Sequence, residues 1–269
     1  MKLRAFNLLM LFTIIPLKCL ADTTAAPLLA AGNPLNIGVY KMGEPLAFNK
    51  ESKVVGLLPD LILALGAAAG LEVKVHLLPY QRIFTNQQWI HQDLGLTFYT
   101  GQQNKAIESR HLTCFQRPLI RIPLYIYGTK PSTRTTPTLA TLIPTPLLKE
   151  YFKLPSIEGK KLNVKRSPSA EAAFKSLISD RVDYVAASDI VSEYWAAQLP
   201  FKPLMVFSKV GVAFGTLCYP KDKYTSGDVR KLDDALLAIP KVDLDVIVAP
   251  ILARYNLPST IRSSLLPAD

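Results

Sequence analysis

The sequence predicts an α/β protein in two lobes, on three observations. Short apolar strands alternate with helical stretches along most of the chain, the pattern of an open α/β sheet. A run of turn formers, Pro131-Ser-Thr-Arg-Thr-Thr-Pro137, breaks that alternation near the middle. Beyond it a second, smaller βαβα unit follows before apolar strand sequence returns at 205 to 218. A chain that leaves one lobe, builds another and comes back crosses twice, and two crossings make a hinge.

The elements follow in order. Asn36-Ile-Gly-Val-Tyr40 is strand-like, and Glu44-Pro-Leu-Ala-Phe48, a turn and Val54-Val-Gly-Leu-Leu-Pro-Asp60 lead into an apolar helix opening near Asp60 and ended by Gly70. Leu71 to Leu77 alternates with period two, as a half-buried strand does. Arg82 to His91 is helix-like, and Asp93 to Thr100 is a strand ending in aromatic and hydroxyl residues. Arg121 to Tyr127 reads as a further strand. Ser169 to Ile178 reads as a helix, Val182 to Ala187 as a strand and Ile190 to Gln198 as a helix. Asp228 to Ala238 has helical spacing, and Asp243 to Tyr255 adds a helix that Pro250 is expected to cap or kink.

The first 21 residues carry Lys2 and Arg4, an apolar stretch from Phe6 to Leu17 and the small-residue ending Cys19-Leu-Ala21. This is the layout of a cleaved secretory signal, and the apolar run is well short of the roughly 20 residues needed to span a bilayer. Lys18 directly before Cys19 argues against a lipid attachment site. The expected location is outside the cytoplasm. The formal charge of +10 becomes +7 once Lys2, Arg4 and Lys18 are removed. Lys160-Lys161 and Lys165-Arg166 lie close together with no aromatic interleaving, so a solvated basic surface is expected and no nucleic-acid partner. Cys114 and Cys218 remain after processing, either bridged in an oxidising compartment or separate as buried thiols.

His76, His91 and His111 do not make up the ligand set of a recognisable metal motif, and neither a Gly-x-Ser-x-Gly elbow nor a phosphate loop occurs. No metal or cofactor is expected, and no catalysis.

The opening strand, the Glu44 to Phe48 loop, the Gly turn and the acidic helix start resemble the beginning of a family-3 extracellular solute-binding protein, the receptor type that feeds ABC importers. Three later stretches extend the likeness over nearly all of the mature chain. Ile157-Glu-Gly-Lys-Lys-Leu-Asn-Val164 resembles that family's entry to lobe two, Arg181-Val-Asp-Tyr-Val185 a later strand, and Ile251-Leu-Ala-Arg-Tyr255 its terminal helix. The resemblance implies the bilobed periplasmic-binding-protein-like fold of type II, with lobe one in residues 33–125 and 212–269 and lobe two in 126–211. It further implies capture of a small polar solute, an amino acid or related compound, by a monomer that docks on an ABC permease in the inner membrane. An enzyme of the same fold, dehydratase-like and using a pair such as Lys105 with Asp189, or a soluble ligand sensor, is the alternative.

The same resemblance nominates the site. Tyr40, Phe48 and Tyr80 are candidate cleft aromatics, with core packing as the alternative for each. The family's carboxylate-binding arginine segment is altered here: Thr100 keeps the hydroxyl, while forward spacing points to Lys105 and chemistry to Arg110 as the carboxylate anchor. Ser167 and Ser169 fall where a turn opens a lobe-two helix, suited either to an anionic group or to ordinary capping. Asp189 stands where the family grips a ligand ammonium, with Ser188 one residue away and capping of the following helix an equal explanation.

Overall fold

The computed structural model describes residues 34–79, 93–100, 112–142, 156–200, 203–220, 233–234, 236–237 and 241–265, with backbone alone at Thr100, Pro220 and 241–245. The strands are β1 (Leu35–Tyr40), β2 (Phe48–Lys50), β3 (Lys53–Val55), β4 (Val73–Leu78), β5 (Leu94–Thr100), β6 (Leu112–Cys114), β7 (Ile120–Gly128), β8 (Thr138–Thr141), β9 (Asn163–Arg166), β10 (Tyr184–Ser188) and β11 (Met205–Pro220). The helices are α1 (Leu57–Ala68), α2 (Ala170–Ile178), α3 (Asp189–Gln198) and α4 (Lys241–Arg254), followed by a 3₁₀ helix over Ser259–Ser264. Arg82 to His91 and most of the helix expected at 228–238 lie outside the described residues.

One sheet runs in the order β4-β1-β5-β11-β7-β10-β8-β9, with β6 also paired to β11. Strands β1, β4 and β5 are mutually parallel in lobe one, and β8, β9 and β10 in lobe two. The two long antiparallel strands β7 and β11 belong to both lobes. Toward one end β11 pairs with β5 from Ala213 to Cys218, and toward the other β7 pairs with β10 from Leu124 to Tyr127. β7 ends at Gly128, ahead of the turn formers at Pro131 to Pro137. β11 has register shifts between Val206 and Ser208 and between Lys209 and Gly211, while β7 runs straight through. Extra residues of this kind bend and twist the strand that holds them.

Local chemistry sets the helix ends. α1 opens at Leu57, three residues before Asp60, because Gly56 is its N-cap at φ +130°. A Cβ on Gly56 would lie 2.5 Å from the Leu46 carbonyl oxygen, so the close approach of the 44–47 loop requires glycine there. Ser169 caps α2, accepting from the Ala172 amide at 3.1 Å. α4 continues through Pro250 rather than stopping at it. In lobe two, Asp183 takes the Ser132 hydroxyl at 2.6 Å and the Thr138 amide at 2.7 Å, fixing the loop between β7 and β8 to the start of β10. Cys114 and Cys218 face each other across β6 and β11 and are joined as a disulfide.

Candidate cleft between the lobes

Open parallel sheets place ligands beyond the carboxyl ends of their strands, where helix N-termini and loops converge. The register of the hinge strands brings the carboxyl ends from the two lobes toward each other. Thr100, at the end of β5, lies opposite Ala213, whose partner on β7 is Ile122. Ser188, at the end of β10, lies opposite Leu124 of the same strand. The two ends are thus offset by two residues along β7, about 6.6 Å, and by three strand spacings, about 14 Å, across the sheet.

Four of the nine residues nominated from sequence fall at strand carboxyl ends. Tyr40 ends β1, Thr100 ends β5, Ser167 follows β9 and Asp189 follows β10. Tyr80, Lys105 and Arg110 lie outside the described residues, as does the side chain of Thr100.

The described side chains differ in what they offer a ligand. Tyr40 is only 1% exposed, its ring 5.7 Å from that of Phe98 and packed by Met42, Leu78 and Leu112. That is the packing arrangement held as its alternative. Phe48 is half-buried at the start of the β2–β3 hairpin. Ser169 is committed to its cap, and the Ser167 hydroxyl donates to the Ser169 carbonyl at 3.0 Å.

Asp189 is not the cap of α3. Ser188 fills that role, its hydroxyl oxygen accepting from the Val191 amide at 3.2 Å. Asp189 occupies the first helical position, where a carboxylate is favoured by the helix dipole. Its Oδ1 accepts from the Ile190 amide at 2.8 Å and its Oδ2 from the Ser264 hydroxyl at 2.8 Å. Burial raises its pKa, against the lowering effect of those hydrogen bonds and of Arg121 nearby.

Two residues that sequence reasoning passed over meet across the lobes. The Tyr194 hydroxyl, on α3 of lobe two, donates to Glu44 Oε2, in the loop after β1 of lobe one, at 3.2 Å. Burial, reinforced by the Glu44 carboxylate, pushes the Tyr194 phenol up to about 12, so it remains a donor at neutral pH. Glu44 lay inside a motif that resembled the family, but nothing local marked it as a contact residue. Ser264, on the C-terminal 3₁₀ helix, was likewise unmarked.

No protein-family model matches the sequence, and no curated protein matches it. Solved structures do. The arginine-, lysine-, histidine-binding protein ArtJ from Geobacillus stearothermophilus aligns over 86% of this chain and 99% of its own, at 18% identity and a TM-score of 0.58. The VFT2 domain of Bordetella pertussis BvgS, in a double mutant, covers 80% of this chain and 92% of its own at 17% identity and TM-score 0.58. The fold is that of the bilobed periplasmic binding proteins. The ligand-binding core of GluR0 from Nostoc punctiforme, in complex with L-glutamate, shares it at 16% identity and TM-score 0.56, over 84% of this chain and all of its own.

Proposed function

We propose that this periplasmic-binding-protein fold captures a small polar solute, an amino acid or a related compound, between its lobes and presents it to an ABC permease in the inner membrane. The observation that carries the reading is the convergence of strand carboxyl ends from both lobes on the β7–β11 hinge. Two fold neighbours, the arginine-, lysine-, histidine-binding ArtJ and the GluR0 core in complex with L-glutamate, bind amino acids, which favours that solute class. The leader over residues 1–21, export to the periplasm, a monomeric state and lobe limits at 33–125 with 212–269 and at 126–211 complete the proposal.

Binding proceeds by selection of a closed form. Solute that contacts both lobes binds that form more tightly, and the difference in affinity alone sets how far the equilibrium moves. Thr100, with Lys105 or Arg110, is the lobe-one anchor in this scheme. Ser167, Ser169 and Asp189 are the lobe-two candidates, and Phe48 and Tyr80 the aromatic ones. Binding is favoured over the enzyme alternative because ArtJ and the GluR0 ligand-binding core are binding proteins. A ligand-sensor role is the second reading, favoured by the likeness to the GluR0 ligand-binding core.

Thermal unfolding of the protein from residue 22 onward, against amino acids, organic acids, amines, small peptides and sugars, tests the proposal. Ligand at a hundred times its Kd adds about 2.7 kcal/mol, or roughly 5–10 °C in Tm. A shift from one polar amino acid is the expected result. A shift only from another class discards the solute and keeps the fold, and silence across the panel overturns the binding role.

A further inference from the structure

Helix α3 of lobe two is held by lobe one at two points. At its first residue, Asp189 accepts the Ser264 hydroxyl, and the next residue of that C-terminal segment, Leu265, bridges to Ile120 of β7. Ser264 and Leu265 are both buried, at 1% and 3% exposure, so this contact is packed rather than superficial. Five residues further along α3, the Tyr194 hydroxyl reaches Glu44. Tyr194 is itself braced by an edge-on contact with Trp195, ring centroids 5.2 Å apart.

We propose that these two contacts form a pivot and a latch: Asp189–Ser264 stays fixed beside the hinge strands while Glu44–Tyr194 makes and breaks as the lobes close and open. The distinction follows from position. Asp189 adjoins Ser188, which pairs with Leu124 of β7, and Leu265 is tied to Ile120 only four residues earlier on that strand. Both ends of the pivot therefore ride on one continuous strand. Tyr194 lies about 7.5 Å further along the helix axis. A lobe rotation of about 20° about Asp189 displaces a point at that radius by about 2.6 Å, which takes a 3.2 Å hydrogen bond out of range.

A latch of this kind holds part of the unliganded population closed. One hydrogen bond to a carboxylate, partly exposed, is worth about a five- to tenfold change in the closed-to-open ratio. The consequence for solute affinity rests on the proposed binding role, because apparent affinity scales with the fraction of competent conformer. The latch itself does not require a ligand to be known.

The test is an interlobe distance measurement on the unliganded protein. Spin labels at K53C and K161C, both exposed positions on opposite lobes, report the distribution by pulsed dipolar spectroscopy. Tyr194→Phe and Glu44→Ala should each move the distribution to longer distances, and the double variant should move it no further than either alone. Ser264→Ala should lower Tm while leaving the mean distance less changed than Tyr194→Phe does. Unchanged distributions in folded Tyr194→Phe and Glu44→Ala would overturn the latch, and fully additive shifts would show that the two residues act separately. If no solute is ever found, the distance result still stands, so the two proposals fail independently.

Discussion

The Tyr255 hydroxyl lies 3.0 Å from Asp60 Oδ2, joining the last turn of α4 to the first turn of α1 across 195 residues of sequence. The same oxygen accepts the Gly56 amide at 2.8 Å, and Arg254 adds its guanidinium to Asp60 at 2.6 Å. The acidic helix start and the terminal Arg-Tyr were separate sequence signals, and the fold makes them one network. It satisfies a free amide at the N-terminus of α1, which has no side-chain cap of its own.

Tyr255→Phe removes the donor to Asp60 and the acceptor for Gly56 together. We expect a loss of about 2 kcal/mol, seen as a fall in Tm of roughly 4–8 °C. An unchanged Tm would mean that water replaces the phenol at both partners without penalty.

The disulfide closes a loop of 104 residues. Loop-closure entropy for that length is worth roughly 4–5 kcal/mol. Replacing Cys114 and Cys218 together by serine should therefore lower Tm by more than about 8 °C. Thiol labelling of unreduced, denatured protein beginning at residue 22 should find no reactive cysteine; two labelled thiols would refute the bridge.

The buried carboxylate of Asp189 should make stability fall as pH rises. Burial holds its folded pKa above the ordinary aspartate value, so the native state binds more protons between the two values. Its contribution is thus fully present below the unfolded pKa and is lost as pH climbs through the folded one. Denaturant unfolding of Asp189→Asn and the unsubstituted protein should converge at pH 3–4 and separate in favour of asparagine toward neutrality. Asp233, which is also raised by burial, should reinforce the same slope in both proteins. The opposite trend would show that Ser264 and Ile190 outweigh desolvation.

Much of the fold was legible because its signals are local. The Ser169 cap and the spacing of Ala170, Ala173, Phe174 and Leu177 define α2 within nine residues. Alternation finds β4, and Gly70, at φ +70°, ends the turn before it. The helix expected at Asp243 to Tyr255 is present as α4, with Pro250 inside it rather than capping it. The site was less legible. Ser264 and Asp189 are 75 residues apart, and Tyr194 and Glu44 are 150 apart, so no window of sequence contains either pair. Tyr40 illustrates the converse difficulty: an aromatic at a strand end reads the same in sequence whether or not its ring is buried, as this one is against Phe98.

The covalent bond between β6 and β11 has a topological result. Strands β8, β9 and β10 and helices α2 and α3 all lie between Cys114 and Cys218, so this part of the chain is a ring whose two ends are stitched together on lobe one. A single peptide-bond break anywhere in that ring leaves the two fragments linked. When lobe two unfolds, the halves of lobe one on either side of it stay within reach of each other, and the first lobe is spared the search for its own missing part.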